Sequence, residues 1–467
     1  MNSTFVNSIH LAHFKSFLTP EQIITDPAEC RHYALDRTTK YAPHASLVLF
    51  PKTTEEVSRI LSYCHTHDIK TVPSGGRTGL AGGAVAMNGE VILSLARMNR
   101  VLEIESLTPY IHVEAGCTAE GAMDALKLHG LTLPVDFAAK GSATLGGNVS
   151  TNVGGVRVLA YGPLRGYVLG LKVVLADGTV VDSIRGLYKN NAGFDLKQLF
   201  IASEGTLGIV TEVLLKAVSI PGERVTFLLA APDLSGLLHF LKDLRLERVQ
   251  LAAVEFFNHA CLEKVMAHLR VASPFAKEAP FYALIEAESF STERDAELTE
   301  RFVGASESGL IGEVLLAQSS RQKREFWRYR EEITESLSPF KPHKNDLSVP
   351  LAHLPAFTDE LTRELAVCSP FTICLFGHLA DGNVHVNLLK PADVDNAEFI
   401  AKALALDEVI YDIVFKHDGS VSAEHGIGLG KKLGNDRTFR PEEFMLLKKI
   451  KRTLDPKNIL NPGKIFD

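Results

Sequence analysis

Three glycine-rich segments in the first 220 residues constrain the fold of this chain more than any other feature. They are Pro73–Gly83, Lys140–Gly155 and Ser203–Val210, and the first directly follows Ile69–Val72, a run that predicts a strand. Glycines let successive backbone N–H groups converge on an anion. The first segment has neither the Rossmann nor the Walker spacing. Tight turns would explain any one segment, but three in one half indicate a large polar ligand.

The sequence pattern changes after Ile220–Gly222. Before that point, Ser46–Phe50 predicts a strand, Thr54–His67 a helix with a threonine cap, and Val168–Ser183 a hairpin that turns at Asp177-Gly178. After it, strands alternate with helices, which predicts a separate sheet with helices on one face. The strands predicted there are 225–230, 250–257, 281–287 and 313–317, and the helices are 234–244, 293–306 and 320–336.

Composition and charge narrow the class of protein. The chain has 467 residues, 46% hydrophobic and 22% charged, as in ordinary globular proteins of two or three structural units. A net charge of −7 argues against nucleic acid as a partner. Six cysteines without a Cys-x-x-Cys pair exclude thiolate zinc and iron–sulfur sites. Since no signal peptide or run of about 20 apolar residues is evident, we expect a cytoplasmic protein without a transmembrane segment.

Two histidines and one glutamate in the last hundred residues form a possible metal site. His378 and His385 are seven apart and would point to opposite faces of an uninterrupted strand. The Asp381–Asn383 turn breaks the strand, so both imidazoles can reach one point. With Glu424, from the segment Ser422–Gly428, they make the three-ligand set of an open, catalytic site. The alternative is a hairpin whose histidines satisfy backbone groups.

Residues 41–220, with these loops, resemble the flavin-binding half of the vanillyl-alcohol oxidase family, whose FAD domain is of the p-cresol methylhydroxylase type. The resemblance implies an α+β fold: an FAD-binding domain of two α+β subdomains at 1–220, a cap domain of antiparallel sheet plus helices at 221–412, and a C-terminal helical segment at 413–467. Arg77 stands where covalent members often carry histidine, which implies non-covalent FAD. The positions that the resemblance assigns to FAD are Pro73, Ser74, Gly75, Gly76, Arg77, Thr78, Gly79, Leu80, Pro134, Gly141, Ser142, Thr144, Gly147, Asn148, Thr151, Asn152, Gly154, Glu204, Gly208 and Ile209.

The second half resembles the D-2-hydroxyacid dehydrogenase branch of that family in three motifs, Gly377–His385, Ser422–Gly428 and Leu454–Pro462. That branch includes D-lactate, glycolate and D-2-hydroxyglutarate dehydrogenases. It implies a divalent metal, commonly zinc, on His378, His385 and Glu424. The chain has Ala380 where the branch usually has glycine, which is tolerable unless the turn needs positive φ.

Phe326–Leu337 resembles the D-2-hydroxyglutarate dehydrogenases most closely. In a helix, Arg330 and Thr334 would share one face, where Arg330 can bind a carboxylate bidentately. Lys344 falls where that subgroup has another substrate-binding lysine. Its usual aromatic neighbours are replaced by His343 and Asn345, which leaves the substrate open within the branch. The alternative for Arg330 is a surface arginine paired with a glutamate.

The resemblance implies an FAD-dependent dehydrogenase that oxidises a D-2-hydroxyacid to the 2-oxoacid, with D-2-hydroxyglutarate first and D-malate next. His425 would take the hydroxyl proton, and Asn387 would fix the substrate or a ligand. The alternatives are a D-lactate or glycolate dehydrogenase, an oxidase that uses oxygen, and a non-catalytic flavin-binding subunit of a larger complex. Such a subunit would be expected to lack the histidine and glutamate set. Without a nicotinamide fingerprint, electrons should pass to an electron-transfer flavoprotein, a quinone or a cytochrome. A homodimer is a further expectation.

Overall fold

The computed structural model describes residues 6–38 and 40–466 and contains helices and strands throughout. The strands are β1 (Ile23–Ile24), β2 (Ala45–Leu49), β3 (Thr71–Ser74), β4 (Glu90–Ser94), β5 (Val101–Glu105), β6 (Tyr110–Glu114), β7 (Leu131–Thr132), β8 (Val168–Val174), β9 (Val180–Asp182), β10 (Ile209–Lys216), β11 (Val218–Ser219), β12 (Arg224–Ala231), β13 (Leu251–Asn258), β14 (Phe281–Glu288), β15 (Val314–Leu316), β16 (His343–Ser348), β17 (Thr372–His378) and β18 (Asn383–Leu389). The helices are α1 (Ser8–Lys15), α2 (Pro27–Tyr33), α3 (Thr54–Thr66), α4 (Ala119–Lys127), α5 (Leu145–Thr151), α6 (Val158–Tyr161), α7 (Lys197–Phe200), α8 (Leu234–Leu246), α9 (His259–Leu269), α10 (Thr292–Glu307), α11 (Ser320–Glu331), α12 (Ile333–Leu337), α13 (Leu354–Cys368), α14 (Asn396–Lys416), α15 (Lys432–Thr438) and α16 (Pro441–Leu454). None of these helices combines the length and apolar character needed to cross a membrane.

The chain divides into two compact units that are not contiguous in sequence. The first unit comprises Met1–Gly154, Pro163–Ile220 and Glu424–Asp467, and the second comprises Gly155–Gly162 and Pro221–Ala423. This differs in two places from the predicted division at 220 and 412. The C-terminal segment returns to the first unit, where Leu460 bridges to β3 at Thr71. The short segment 155–162 joins the second unit, where an ion pair attaches it to the sheet at β14.

The first unit is a mixed α+β structure built on two main sheets. One has four strands in the order β1-β2-β4-β3, and the other has five in the order β5-β6-β10-β8-β9. The strand, helix and hairpin predicted around residues 46–183 are confirmed as β2, α3 and the antiparallel pair β8–β9. Helix α3 begins where the Thr53 hydroxyl accepts the Glu56 N–H, which satisfies one backbone donor of its first turn.

The second unit contains an antiparallel sheet of seven strands in the order β15-β12-β14-β13-β17-β18-β16. The four predicted strands are confirmed, but the prediction of helices on one face is wrong. Phe227 of β12 stacks on Phe302 of α10, with ring centroids 3.8 Å apart. The next residue, Leu228, points to the opposite face and belongs to the core cluster of Trp327 from α11. Both faces are covered because the central strands are apolar at nearly every position.

The helix predicted at 320–336 is interrupted. Helix α11 ends at Glu331 and α12 begins at Ile333, so Glu332 separates them. Ile333 and Leu337 of α12 are buried in the same core as Trp327. The helical pattern in the sequence is correct, but the backbone at Glu332, with φ of −79° and ψ of −2°, divides it into two helices.

Candidate active site

Two of the glycine-rich loops in the first unit pack directly against each other. Gly75 and Gly76 follow the end of β3, and Ser142 and Thr144 precede α5. A Cβ on Gly76 would lie 2.0 Å from the Ser142 carbonyl oxygen, and one on Gly75 would lie 2.4 Å from Thr144 Oγ1. A side chain at either position would force the loops apart. The absence of side chains at Gly75 and Gly76 thus lets the two loops, which the sequence assigns to one ligand, pack against each other.

Buried polar atoms without a hydrogen-bond partner lie in these same two glycine-rich segments, at the end of β3, at the N-cap of α5 and within α5. They are Ser74 Oγ, Thr144 Oγ1 and Asn148 Nδ2, and each belongs to a residue that is less than 10% exposed. An unsatisfied buried donor or acceptor costs about 1–3 kcal/mol. Three such atoms in neighbouring segments indicate a binding site for a polar ligand. The resemblance in sequence predicted that all three residues contact FAD. The cradle therefore fits the cofactor.

Arg77 is held away from the space between the loops. Its backbone is left-handed, with φ of 56°, and its guanidinium donates to the His32 carbonyl oxygen. The same group lies over the Tyr33 ring, 4.7 Å from the ring centroid. The side chain at the position of the linking histidine is thus engaged with α2.

The third glycine-rich segment contacts the C-terminal part of the first unit. The Glu204 carboxylate accepts the N–H groups of Ile427 and Gly428 at 2.7 and 2.8 Å. Burial raises the pKa of the Glu204 carboxyl, and the two N–H donors oppose this rise by stabilising its charged form. Because both oxygens accept from the protein, the carboxylate anchors the loop that follows Glu424.

Several predicted cofactor positions make contacts within the protein. Thr151 Oγ1 donates to the Gly147 carbonyl oxygen at 3.1 Å, and Asn152 Oδ1 accepts the N–H of Arg165 at 2.9 Å. Ile209 is 1% exposed in the apolar core. Gly208 is buried beside it. The remaining predicted positions lie along the first loop or beside the second: Thr78, Gly79, Leu80, Pro134, Gly141 and Gly154.

In the second unit, a hairpin brings the two motif histidines together as predicted. His378 ends β17 and His385 lies in β18, and their ring centroids are 5.8 Å apart. The turn between them contains Ala380 and Gly382, and of these only Gly382 has positive φ, at 79°. Alanine at 380 is therefore tolerated without backbone strain.

Each of these histidines faces a buried carboxylate that the sequence interpretation missed. His378 Nδ1 lies 2.7 Å from Glu255 Oε1, and His385 Nδ1 lies 3.6 Å from Asp346 Oδ1. Imidazoles that bind metal ions typically direct their second nitrogen to a carboxylate. Asp346 and His385 are themselves suited to ligate a metal ion. A glutamate in the otherwise apolar run Leu251–Phe257 was a signal that could have identified Glu255.

Arg330 is buried beside the same glutamate. It is 8% exposed, and its Nε lies 2.7 Å from Glu255 Oε2. The N–H direction falls outside hydrogen-bond geometry, so the contact is an ion pair defined by distance. Burial alone would raise the pKa of the Glu255 carboxyl, but the charges of His378 and Arg330 lower it below its usual range. The alternative for Arg330, a surface arginine paired with a glutamate, is found only in its pairing, because Arg330 is buried.

Of the other predicted substrate residues, Asn387 and Lys344 lie in the sheet, whereas Thr334 lies on helix α12. Asn387 is buried and lies opposite Lys344 in the β16–β18 register, so the two side chains share a face of the sheet. The prediction that Thr334 shares a helix face with Arg330 is wrong. Thr334 is exposed on α12, beyond the helix interruption at Glu332, whereas Arg330 is buried.

The residues that replace the usual aromatic neighbours of Lys344 contact a helix. His343 Nε2 lies 2.7 Å from Asp407 Oδ1 on α14, and Asn345 Nδ2 donates to the same oxygen at 2.8 Å. Side chains alternate along a strand. These two residues therefore attach β16 to α14 on the face opposite Lys344.

Glu424 and His425 lie in the first unit, on the loop that Glu204 anchors. Glu424 Oε1 is 3.8 Å from His425 Nε2, and both side chains are partly buried. Both are suited to ligate a metal ion. Gly426 has φ of 80°, and a Cβ there would lie 2.8 Å from Glu204 Oε1. Glycine at 426 therefore allows the close contact that holds this loop.

Comparison with known proteins places the chain in a family. Residues 45–183 match the model of an FAD binding domain, and residues 220–465 match the C-terminal domain of FAD-linked oxidases. The chain belongs to the FAD-linked oxidase family. This membership agrees with the orphaned polar atoms of the glycine-rich loops.

Two relatives that match nearly the whole chain are D-2-hydroxyglutarate dehydrogenases. The chain is 40% identical over 444 residues to D-2-hydroxyglutarate dehydrogenase of Xanthomonas citri pv. viticola, with 95% of this chain and 94% of the relative covered. It is 39% identical to the mitochondrial D-2-hydroxyglutarate dehydrogenase of Bos taurus, with 96% and 82% covered.

The fold matches the expected type. A crystal structure of p-cresol methylhydroxylase with substrate bound has a TM-score of 0.76 at 17% identity, with 99% of this chain and 98% of that chain covered. The α+β fold implied by the sequence resemblance is thereby confirmed.

Proposed function

We propose that this FAD-linked oxidase family member oxidises D-2-hydroxyglutarate to 2-oxoglutarate, and D-malate to its 2-oxoacid. The observation that carries the proposal is the buried set of His378, Glu255 and Arg330, which joins the imidazole proposed to bind a metal ion to a cation suited to a carboxylate. The names of the close relatives support the same substrate.

The oxidation removes the hydroxyl proton and a hydride from C2 of the substrate. FAD, when bound, supplies the two-electron acceptor. The cradle of Ser74, Thr144 and Asn148 would hold it, since these residues offer buried polar atoms that the protein does not satisfy.

We propose that His378, His385 and Glu424 hold a divalent metal ion, with zinc as the first candidate. Two imidazoles and a carboxylate are a suitable donor set, and the ion would supply a Lewis acid that lowers the pKa of the substrate hydroxyl. Glu255 engages Nδ1 of His378, and imidazoles that ligate a metal ion typically direct their second nitrogen to a carboxylate in this way.

His425 is proposed to accept the hydroxyl proton, since an imidazole exchanges protons near neutral pH. Oε1 of the neighbouring Glu424 lies 3.8 Å from His425 Nε2, and Glu424 is proposed to be a ligand of the metal ion. Asn387, buried beside His385 on the same strand face, would donate its amide N–H to the substrate.

Arg330 and Lys344 are proposed to bind the distal carboxylate of the substrate. A guanidinium has five N–H donors, so pairing through Nε with Glu255 leaves most of them for a ligand. Lys344 is exposed and lies on the face of the sheet that carries Asn387 and His385. A second carboxylate distinguishes D-2-hydroxyglutarate and D-malate from D-lactate.

Replacement of Lys344 by methionine should lower kcat/KM for D-2-hydroxyglutarate roughly ten- to a hundredfold, because a charge-assisted contact worth about 1.5–3 kcal/mol is lost. D-Lactate, which has no second carboxylate, should lose much less. Steady-state turnover with an artificial dye measures both. Lys402→Met removes the same charge from an exposed ion pair with Glu398 and should leave both values unchanged. Equal losses for the two substrates would instead place Lys344 on the shared C1 carboxylate or in a structural role.

The purified protein should release intact FAD when it is precipitated with acid. No histidine occupies the linking position, and Arg77 is engaged by His32 and Tyr33. Absorbance of the supernatant and of the washed pellet measures the partition. Flavin that stays with the pellet would show a covalent bond.

The electron acceptor is proposed to be an electron-transfer flavoprotein, a quinone or a cytochrome, since the sequence has no nicotinamide fingerprint. Turnover assays with each acceptor in the absence of oxygen distinguish among the acceptors. An oxidase would instead need oxygen for turnover.

We also propose that the protein is cytoplasmic and forms a homodimer.

A further inference from the structure

Glu255 occupies an unusual position for a charged residue. It lies in the middle of β13, in the central part of the seven-stranded sheet, and is 1% exposed. A carboxylate in such a place is costly unless both oxygens have partners. One oxygen lies 2.7 Å from His378 Nδ1, and the other lies 2.7 Å from Arg330 Nε. Glu255 is thus the common neighbour of the proposed metal ligand and the proposed substrate cation.

The two contacts have different chemical consequences. When the Nδ1–H of His378 donates a hydrogen bond to Glu255, the lone pair of the neutral imidazole is on Nε2, which is the tautomer that ligates a metal ion through Nε2. Arg330 is fixed between the other oxygen and the Phe376 ring, whose centroid is 5.0 Å from its guanidinium carbon. One side chain therefore contacts both groups.

We propose that Glu255 is a positioning residue that couples metal binding to recognition of the distal carboxylate. The inference rests on the proposed function, because it assumes the metal ion on His378 and the substrate on Arg330. It has a consequence that a purely structural ion pair lacks. One neighbour is a ring nitrogen at hydrogen-bond distance and the other is a guanidinium cation, so position 255 must turn an oxygen to each of them.

Glu255→Gln tests this requirement with little change in volume. The carboxamide has one acceptor oxygen and one donor nitrogen. If the oxygen accepts from His378, the NH₂ group faces Arg330. If the oxygen turns to Arg330, the NH₂ group faces Nδ1 of His378 and favours the tautomer that cannot ligate through Nε2. Glutamine therefore cannot turn an acceptor oxygen to His378 and to Arg330 at the same time.

The experiment measures divalent metal affinity of the FAD-loaded protein by competition with a chelator. Glu255→Gln should bind the metal roughly ten- to a hundredfold more weakly. Adding Arg330→Met should recover most of that loss, because the amide oxygen is then released for His378. With saturating metal, Glu255→Gln should raise KM for D-2-hydroxyglutarate more than KM for D-lactate.

Glu286 provides the matched control. It is also 1% exposed, in the adjacent strand β14, and its carboxylate holds Arg157 at 2.7 Å and Trp327 Nε1 at 2.8 Å. Glu286→Gln should lower Tm but leave metal affinity unchanged. If Glu255→Gln alone does not fold, the double variant with Arg330→Met carries the test and must bind metal nearly as the wild type does.

The outcomes separate this inference from the proposed function. Wild-type metal affinity in Glu255→Gln, or no recovery in the double variant, would overturn the coupling role and leave the metal proposal intact. A wild-type protein that binds no divalent ion would overturn both.

Discussion

Replacement of His425 by alanine should slow flavin reduction by D-2-hydroxyglutarate about a hundred- to ten-thousandfold, the usual contribution of a general base. FAD should remain bound, because the orphaned polar atoms proposed to contact it lie on the other loops of the first unit. The loop itself should stay in place, since Glu204 holds it through the backbone N–H groups of Ile427 and Gly428. Anaerobic stopped-flow absorbance measures the reduction rate directly.

His129→Ala removes an exposed imidazole from the same unit and should leave the rate unchanged. Metal content of His425→Ala should be measured alongside, because loss of the ion would also slow the reaction. A His425→Ala protein that retains its metal and reduces flavin at the wild-type rate would assign the base to another residue.

Replacement of His385 by alanine should remove the divalent metal and abolish flavin reduction while FAD stays bound. His378→Ala and Glu424→Ala should do the same, because an open site has only three protein ligands and loses most of its affinity with one of them. Chelation of the wild-type protein should reproduce the loss, and added zinc should restore activity. Metal analysis and flavin absorbance on the same samples measure the two cofactors separately.

The matched control uses a buried histidine of the same sheet. His343 is 7% exposed and pairs with Asp407 on the opposite face from Lys344. His343→Gln should lower stability, because the buried carboxylate loses a partner, yet leave metal content unchanged. Wild-type protein without a stoichiometric divalent ion would refute the proposed metal site.

Much of the first unit could be predicted because its signals are local. Apolar runs and the Thr53 cap predicted β2 and α3, and the Asp177-Gly178 turn predicted the β8–β9 hairpin. The β17–β18 hairpin was predicted for the same reason, since the turn lies between His378 and His385. In each case the residues that determine the structure are neighbours in sequence.

The missed residues depend on strand order. Glu255 and His378 are 123 residues apart and meet only because β13 pairs with β17. Asp346 faces His385 only because β16 pairs with β18. The apolar pattern of a strand indicates that it is buried, but not which strand lies next to it.

The sequence alone determined the family, the FAD-binding domain and the hairpin of the two motif histidines, because glycines, turns and motif residues act over a few positions. The tertiary structure decided the rest. It placed helices on both faces of the seven-stranded sheet of the second unit, and it interrupted the helix between Arg330 and Thr334. It also gave each motif histidine its own carboxylate. Those features depend on how apolar surfaces pack between distant segments, and that packing is a property of the whole fold.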